Sequence, residues 1–304
     1  MPEVDCLIVG GGPAGLTAAI YVARFRLSVM VVDAGAGRAA LIPRTRNHAG
    51  FPGGISGAEL LERMRAQAQT FGAAMLTARV DSLTRAEGGR FLAQGDFPAI
   101  AARAVVLATG VTNRRPAMDE ALHDAAVAAG RLRYCPVCDA YEVTDRNVAV
   151  IGTGAHGARE AAFVRAYTRR VTLIAPDGAH DLEPADRRRL AELGVVCLDG
   201  PARGYRVNGD QIGVDHAGGR AVFDTIYPAL GSDIHSDLAR GLGADLAGDG
   251  CVRVDSHQRT SVPGLYAAGD VVIGLDQISH AMGEAGVAAT TLRNDLAQQS
   301  PLMR

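Results

Sequence analysis

One stretch occurs twice, and it constrains this chain more than any other feature. Residues 5–33 read DCLIVGGGPAGLTAAIYVARFRLSVMVVD, and residues 147–175 read NVAVIGTGAHGAREAAFVRAYTRRVTLIA. Gly10, Gly12 and Gly15 of the first recur at constant offset as Gly152, Gly154 and Gly157 of the second. Each copy runs apolar strand, glycine-rich turn, alanine-rich helix, apolar strand, the pattern of a βαβ unit. Each glycine answers a separate demand. The first permits the tight turn after the strand, the second lets backbone approach a pyrophosphate, and the third lets the helix pack closely on the strand. The helix N-terminus then offers unpaired N–H groups and a positive dipole end to phosphate. A lone G-x-G-x-x-G is weak, and an ordinary tight turn is its bland explanation. Here it follows a strand and opens a helix in both copies. The pattern predicts a dinucleotide site at Gly10, Gly12 and Gly15, and a candidate second nucleotide site at Gly152, Gly154 and Gly157.

The two copies differ at their ends. The first closes on Asp33, where an acid can accept hydrogen bonds from ribose hydroxyls, so it is expected to hold the adenosine half of a dinucleotide. The second reaches Ala175 at the same spacing, and alanine has no side-chain acceptor. A third element, LYAAGDVV at residues 265–272, is a short apolar strand ending in Gly269 and Asp270 ahead of a helical pattern. Asp270 suits polar cofactor groups; the simpler alternative is a helix N-cap. VVLATG at residues 105–110 reads as a strand and small-residue turn near a crossing between domains. With 304 residues the chain is long enough for two cores. We expect an α/β protein of two dinucleotide-binding, Rossmann-like, three-layer domains with parallel strands in their cores, the second inserted into the first. The first takes residues 1–115 and 235–304, and the second residues 116–234.

Hydrophobic residues make up 48% and charged residues 21% of the chain, the balance of a soluble globular protein. The formal net charge is -2, so no overall field favours nucleic acid or an anionic membrane. The short arginine runs at 114–115, 169–170 and 187–189 read as solvated faces. Acids stand near the N-terminus where a signal peptide needs basic residues. No stretch approaches the ~20 apolar residues of a membrane span. We therefore expect a cytoplasmic protein with no nucleic-acid or membrane partner.

Five cysteines, Cys6, Cys135, Cys138, Cys197 and Cys251, are too sparse for a secreted disulfide framework. Only Cys135 and Cys138 are close, in RYCPVCDAYEV at residues 133–143. A C-x-x-C spacing allows an intramolecular disulfide when the second cysteine lies in the first turn of a helix. A helix N-terminus also favours the thiolate. Asp139 follows and could shuttle a proton to or from a departing thiolate. The competing reading is half of a zinc site, but structural zinc wants four ligands and no second pair exists, so no metal is expected. Cys6 and Cys251 read as small core residues, and Cys197 also as structural.

Together these residues resemble the low-molecular-weight thioredoxin reductases over nearly the full length. The resemblance is carried, in order, by GGGPAG, RNHAGFPGGISGAEL at residues 46–60, LATG at 107–110, CPVCD at 135–139, GTGAHG at 152–157 and TSVPGLYAAGD at 260–270. It implies FAD in the first domain, a homodimer, and a second domain that turns the dithiol alternately toward flavin and substrate. It further implies that Cys138 faces the flavin, that Cys135 meets the substrate, and that Asp139 is the acid–base group. Gly10, Gly12, Gly15, Asp33, Asn47, Gly110, Asp270 and Gln277 would contact FAD. The implied activity is an FAD-dependent disulfide oxidoreductase. It would exchange two electrons between flavin and the Cys135/Cys138 pair, and then with a thioredoxin-like protein or small-molecule disulfide.

The chain departs from this family in three places. NADPH-using members carry His-Arg-Arg and a further Arg after the second unit's last strand. Here the stretch is Ala175, Pro176, Asp177, Gly178, Ala179, His180, Asp181. A 2′-phosphate would meet carboxylates, so NADPH is not expected with its usual partners, and NADH lacks its acid at Ala175. Asp276 stands where members have an arginine beside Gln277, and the glutamine of the loop at residues 37–41 is missing from GRAAL. Two alternatives follow: a dithiol oxidase passing electrons to oxygen, or a reductase fed by ferredoxin or another flavoprotein. A non-catalytic flavin redox sensor is a further alternative, against which Asp139 argues. His48 and His280 could tune the flavin or relay protons, although a structural role is the commoner one. Tyr134 reads as packing.

Overall fold

Valine and isoleucine fill the runs on either side of the first glycine-rich turn, and β-branched residues favour extended backbone. Strands β1 (Glu3–Val9) and β2 (Val29–Asp33) pair in parallel, with helix α1 (Pro13–Arg24) crossing between them. Pro13 at the start of α1 pre-sets a helical φ and lacks an N–H that the first turn could not pair anyway. In this computed structural model residues 1–302 are described, and they divide into two compact units. The first comprises Met1–Arg44, His48–Thr112 and the chain from Asp233 onward. The second comprises Thr45–Asn47 and Asn113–Ser232.

In the first unit, β3 (Ala74–Thr77), β2, β1 and β6 (Phe97–Leu107) lie side by side in parallel, with α2 (Gly57–Thr70) leading into β3. Ser56 caps α2 by accepting from the Glu59 N–H at 3.2 Å. The amino-terminal half of β6 pairs antiparallel with β5 (Phe91–Gly95), which in turn pairs with β4 (Val80–Arg85). Its carboxyl half pairs in parallel with β16 (Leu265–Ala267). The antiparallel meander is not foreseen from the glycine motifs; antiparallel neighbours need only short turns and no crossover helix. Helix α8 (Ile278–Gln299) packs on α1. Ala281, Ala285, Ala288 and Ala289 face Ala14, Ala18 and Ala19 in one buried cluster beneath the sheet. Small residues at helical spacing let the two helices approach closely. The opposite face buries Leu7, Val105, Leu107 and Leu265, with short helix α7 (Asp237–Gly241) contributing Ala239.

The second unit repeats the device. Strands β8 (Asn147–Ile151) and β9 (Arg170–Ile174) flank α5 (Gly154–Val164). They sit in a parallel sheet ordered β10 (Val196–Leu198), β9, β8, β14 (Thr225–Pro228), with α6 (Pro184–Glu192) before β10. A separate antiparallel sheet holds β11 (Arg203–Asn208), β12 (Gln211–His216) and β13 (Gly219–Phe223). Helix α3 (Glu120–Ala128) is capped by Asp119, which accepts from the Leu122 N–H at 2.8 Å. The chain passes between units through β7 (Val111–Asn113) and β15 (Ser232–Ile234), which form a two-stranded sheet. Among the described residues no helix is long and apolar enough to cross a membrane. Cys6 is fully buried in β1 and Cys251 is half-buried. Cys197 is exposed, because it lies on the three-residue edge strand β10 rather than inside a core.

The strand–helix contact at the first turn is steric. Gly10 has φ +108°, and a Cβ there would overlap the Ala108 carbonyl; a Cβ at Gly15 would overlap the Gly10 carbonyl oxygen. Gly12 has nothing within 4 Å of the corresponding position. Gly15→Ala is therefore expected to destabilise the protein by about 1–3 kcal/mol, the range for overpacking. Gly12→Ala should cost about 1 kcal/mol or less, the scale of a helix cap. Urea unfolding of the two variants checks this, and equal losses would contradict it.

Candidate active site

Four parallel strands of the first unit end on one edge, at Val9, Asp33, Leu107 and Ala267. Ligands of open α/β sheets bind outside such carboxyl ends. The glycine-rich turn follows β1 here, and the N-cap of α1 is Gly12, with no side-chain cap. The first N–H groups of α1 are thus left to a ligand. Asp33 lies beside the turn: its Oδ2 is 2.5 Å from where a Cβ of Gly11 would sit, and Arg65 approaches the carboxylate at 3.5 Å. Gly110, with φ +62°, follows β6 and opens on free space. An uncapped helix start, a bare backbone cradle and a nearby acid fit a dinucleotide such as FAD.

Asp270 follows Gly269 at the end of β16. Burial pushes its carboxyl above the ordinary value, although Arg38 counters this from 2.6 Å. The same guanidinium reaches Asp276 at 3.0 Å. Arg38 comes from the short 3-10 helix Arg38–Leu41, the GRAAL loop, and sequence reasoning missed it. Its signal was present as two separate departures, an arginine absent at 276 and a changed loop at 37–41. The structure joins them by bringing a guanidinium from the second to the carboxylate of the first. Gln277 is the N-cap of α8 and donates to the Asp276 carbonyl at 2.9 Å. One turn on, His280 meets Glu284 at 2.9 Å, and Glu284 accepts from the Gly269 N–H at 2.8 Å. Burial raises the Glu284 carboxyl. His48 contacts Ser279 at 3.1 Å and stacks on Phe51. Asn47 groups instead with the second unit, in the segment Thr45–Asn47, where its Oδ1 accepts from the Thr45 hydroxyl at 2.9 Å.

In the second unit Cys135 and Cys138 are joined by a disulfide. Cys135 is the N-cap of the single-turn helix α4 (Pro136–Asp139), and its Sγ accepts from the Cys138 N–H at 3.1 Å. Pro136 starts that turn, which brings the second cysteine back over the first. Both cysteines are half-buried, while Val137 and Tyr141 are exposed. Asp139 closes the helix. Tyr134 packs on the second unit's core, and its hydroxyl meets His123 Nε2 at 2.8 Å. Among the described residues no cluster of His, Cys, Asp or Glu is arranged to hold a metal.

The second glycine-rich turn keeps its packing role: a Cβ at Gly157 would come within 2.8 Å of the Gly152 carbonyl carbon. Its surroundings differ from those of the first. The Asp181 N–H donates to Thr153 Oγ1 at 2.8 Å, and the same hydroxyl lies 3.3 Å from His180 Nδ1. His180 is buried; its N–H donates to Asp199, and its Nε2 lies 3.1 Å from the Leu173 carbonyl. The loop after β9 is thus fastened onto the turn at the N-cap of α5. On α5, Glu160 Oε2 is buried with no hydrogen-bond partner among the described residues. Burial pushes this carboxyl up to about 7, only partly opposed by Arg159, while burial lowers His156. Their 3.5 Å contact therefore brings together two groups that burial keeps toward their neutral forms.

The pattern that defines the pyridine nucleotide-disulphide oxidoreductases matches residues 4–285. A thioredoxin reductase of Mycolicibacterium smegmatis is 32% identical over 288 residues, covering 88% of this chain and 88% of that protein. Among solved structures, that of HlmI superposes with a TM-score of 0.89 at 29% identity, covering 98% of this chain and 93% of the other. The thioredoxin reductase of Streptococcus pyogenes MGAS5005 gives a TM-score of 0.89 at 25% identity, covering 97% and 99%.

Glu160 yields a pH prediction. Its folded-state value lies above the ordinary 4.5, so the folded chain binds this proton more tightly than the unfolded one. The contribution is intact below about pH 4.5 and is lost as pH rises through about 7. Glu160→Gln cannot ionise, so its stability relative to wild type should improve steadily between those values. Urea unfolding at several pH values reads this directly, and a difference that stays flat contradicts it.

Proposed function

We infer the activity from one premise: the chain belongs to the pyridine nucleotide-disulphide oxidoreductases. It is an FAD-dependent disulfide oxidoreductase of the thioredoxin reductase type. The observation that carries this reading is the Cys135–Cys138 disulfide at a helix start with Asp139 beside it. FAD would supply a two-electron store. Gly10, Gly12 and Gly15 would admit its pyrophosphate to the N-terminus of α1, Asp33 would take the adenosine ribose, and Gly110, Asp270 and Gln277 would meet the remainder. Asn47 is assigned to the same cofactor by resemblance.

Cys135 is the sulfur that meets substrate, and Cys138 the one that trades electrons with the cofactor. The Cys138 N–H that now points at Cys135 Sγ would steady a Cys135 thiolate once the pair is reduced. Asp139 gives or takes the proton of a departing thiol. The substrate is a thioredoxin-like protein or a small disulfide or dithiol. We read the enzyme as a cytoplasmic homodimer; sparse, unpaired cysteines outside the redox pair suit a reducing compartment.

A second reading concerns the partner that exchanges electrons with the flavin. The loop that carries Asp177 and Asp181 is hydrogen-bonded to Thr153 at the second glycine-rich turn, where a nicotinamide dinucleotide would lay its phosphates. This favours a dithiol oxidase that passes electrons to oxygen, or a reductase fed by ferredoxin or another flavoprotein.

Cys135→Ser and Cys138→Ser should each abolish disulfide turnover while retaining the flavin absorbance. Turnover surviving in both would overturn the mechanism. Under anaerobic conditions neither NADPH nor NADH should bleach the flavin within minutes. Rapid bleaching by either would restore nicotinamide as the donor and remove the second reading.

A further inference from the structure

The two oxygens of Asp139 are engaged separately. Oδ1 accepts from the Tyr227 hydroxyl at 2.8 Å, and Oδ2 accepts from Arg133 Nη1 at 2.7 Å. Tyr227 lies on β14 and is completely buried. Its hydroxyl stays protonated and donates, because burial and the Asp139 carboxylate hold its proton firmly. Arg133 is fixed along its length. Its backbone N–H donates to the Ile226 carbonyl, next to Tyr227 on the same strand, and its Nε donates to the Gly130 carbonyl at 3.2 Å. One donor therefore stands on β14 and the other is hydrogen-bonded to it, so α4 is tied to that strand through its last residue. A further charged group near the cluster is Glu142, on the 3-10 helix Ala140–Val143, which Arg46 approaches at 3.7 Å.

We propose that Arg133 and Tyr227 are positioning residues that clamp the Asp139 carboxylate at the end of the helix that carries Cys138 and so govern its proton exchange with the redox pair. The proposal rests on the reading of Cys135 and Cys138 as that pair. In the reducing direction the reduced pair gives two electrons and two protons to a substrate disulfide. The Cys135 sulfur bonds to one substrate sulfur as the substrate S–S bond breaks, and the departing thiolate takes a proton. The Cys138 sulfur then bonds to Cys135 as the second substrate thiol leaves. Asp139 can serve those protons only while it is held next to the pair. With both oxygens already accepting, its negative charge is dispersed onto two donors rather than set against the thiolates.

The test is alkylation of the reduced protein by iodoacetamide across a pH series, read by mass on the peptide that carries Cys135 and Cys138. Tyr227→Phe removes one oxygen and keeps the buried ring. A carboxylate relieved of that donor repels a neighbouring thiolate more strongly. The midpoint of alkylation should therefore rise by about 0.5–1 pH unit, a slowing of roughly 3- to 10-fold near neutrality. Arg133→Met should raise it as well, and Arg133→Lys less. In an Asp139→Asn background Tyr227→Phe should leave the midpoint where it was, a coupling that mere packing would not produce. Midpoints unmoved in folded Tyr227→Phe, or moved equally with Asp139 absent, overturn the clamp. Shifts of the expected kind in a protein that turns over no disulfide or dithiol would uphold the clamp and reject the proposed activity instead.

Discussion

Parallel strands must return to their sheet through a crossover, so all of them finish on the same edge. Most of what concerns function in the first unit follows from that constraint. Strands β1, β2, β6 and β16 are scattered along the chain, yet Val9, Asp33, Leu107 and Ala267 end together. The loops that leave these ends carry Gly10, Gly12, Gly110 and Asp270. The Ala-rich contact between α1 and α8 secures the arrangement from below, because it clamps the crossover helix against the helix that follows Asp270.

The charge pattern of that edge turns on a single guanidinium. Asp276 puts a second carboxylate close to the half-buried Asp270. Two neighbouring carboxylates at a half-buried site would repel one another. Arg38 lies within 3.0 Å of both and keeps a cation in the neighbourhood. Arg38 and Asp276 are therefore parts of one electrostatic arrangement, reached from opposite ends of the chain.

Local patterns were legible in the sequence, and long-range encounters were not. The repeat announced two parallel βαβ units because strand and helix periodicities are properties of contiguous residues. The C-x-x-C spacing announced a disulfide because a helical turn brings its ends together. Nothing local connects Arg38 with Asp270 or Tyr227 with Asp139, which are 232 and 88 positions apart. Neither Arg133 nor Tyr227 carries a local signal of the carboxylate that the fold brings between them. The meander of β4, β5 and β6 escaped for a different reason: its strands carry no glycine signature, and antiparallel pairing is decided by turns. The exposure of Cys197 depended on its strand being the last in its sheet, a fact of topology.

The interlocked glycines have a wider meaning. At both turns the third glycine is needed because the carbonyl group of the first stands where its side chain would be. This requirement belongs to the protein's own architecture and persists whatever sits outside. A lineage could give up a coenzyme at such a place, replace every group that once touched it, and still be obliged to keep the motif. Its presence in a genome therefore certifies a way of joining strand to helix, while tenancy has to be judged from the neighbours.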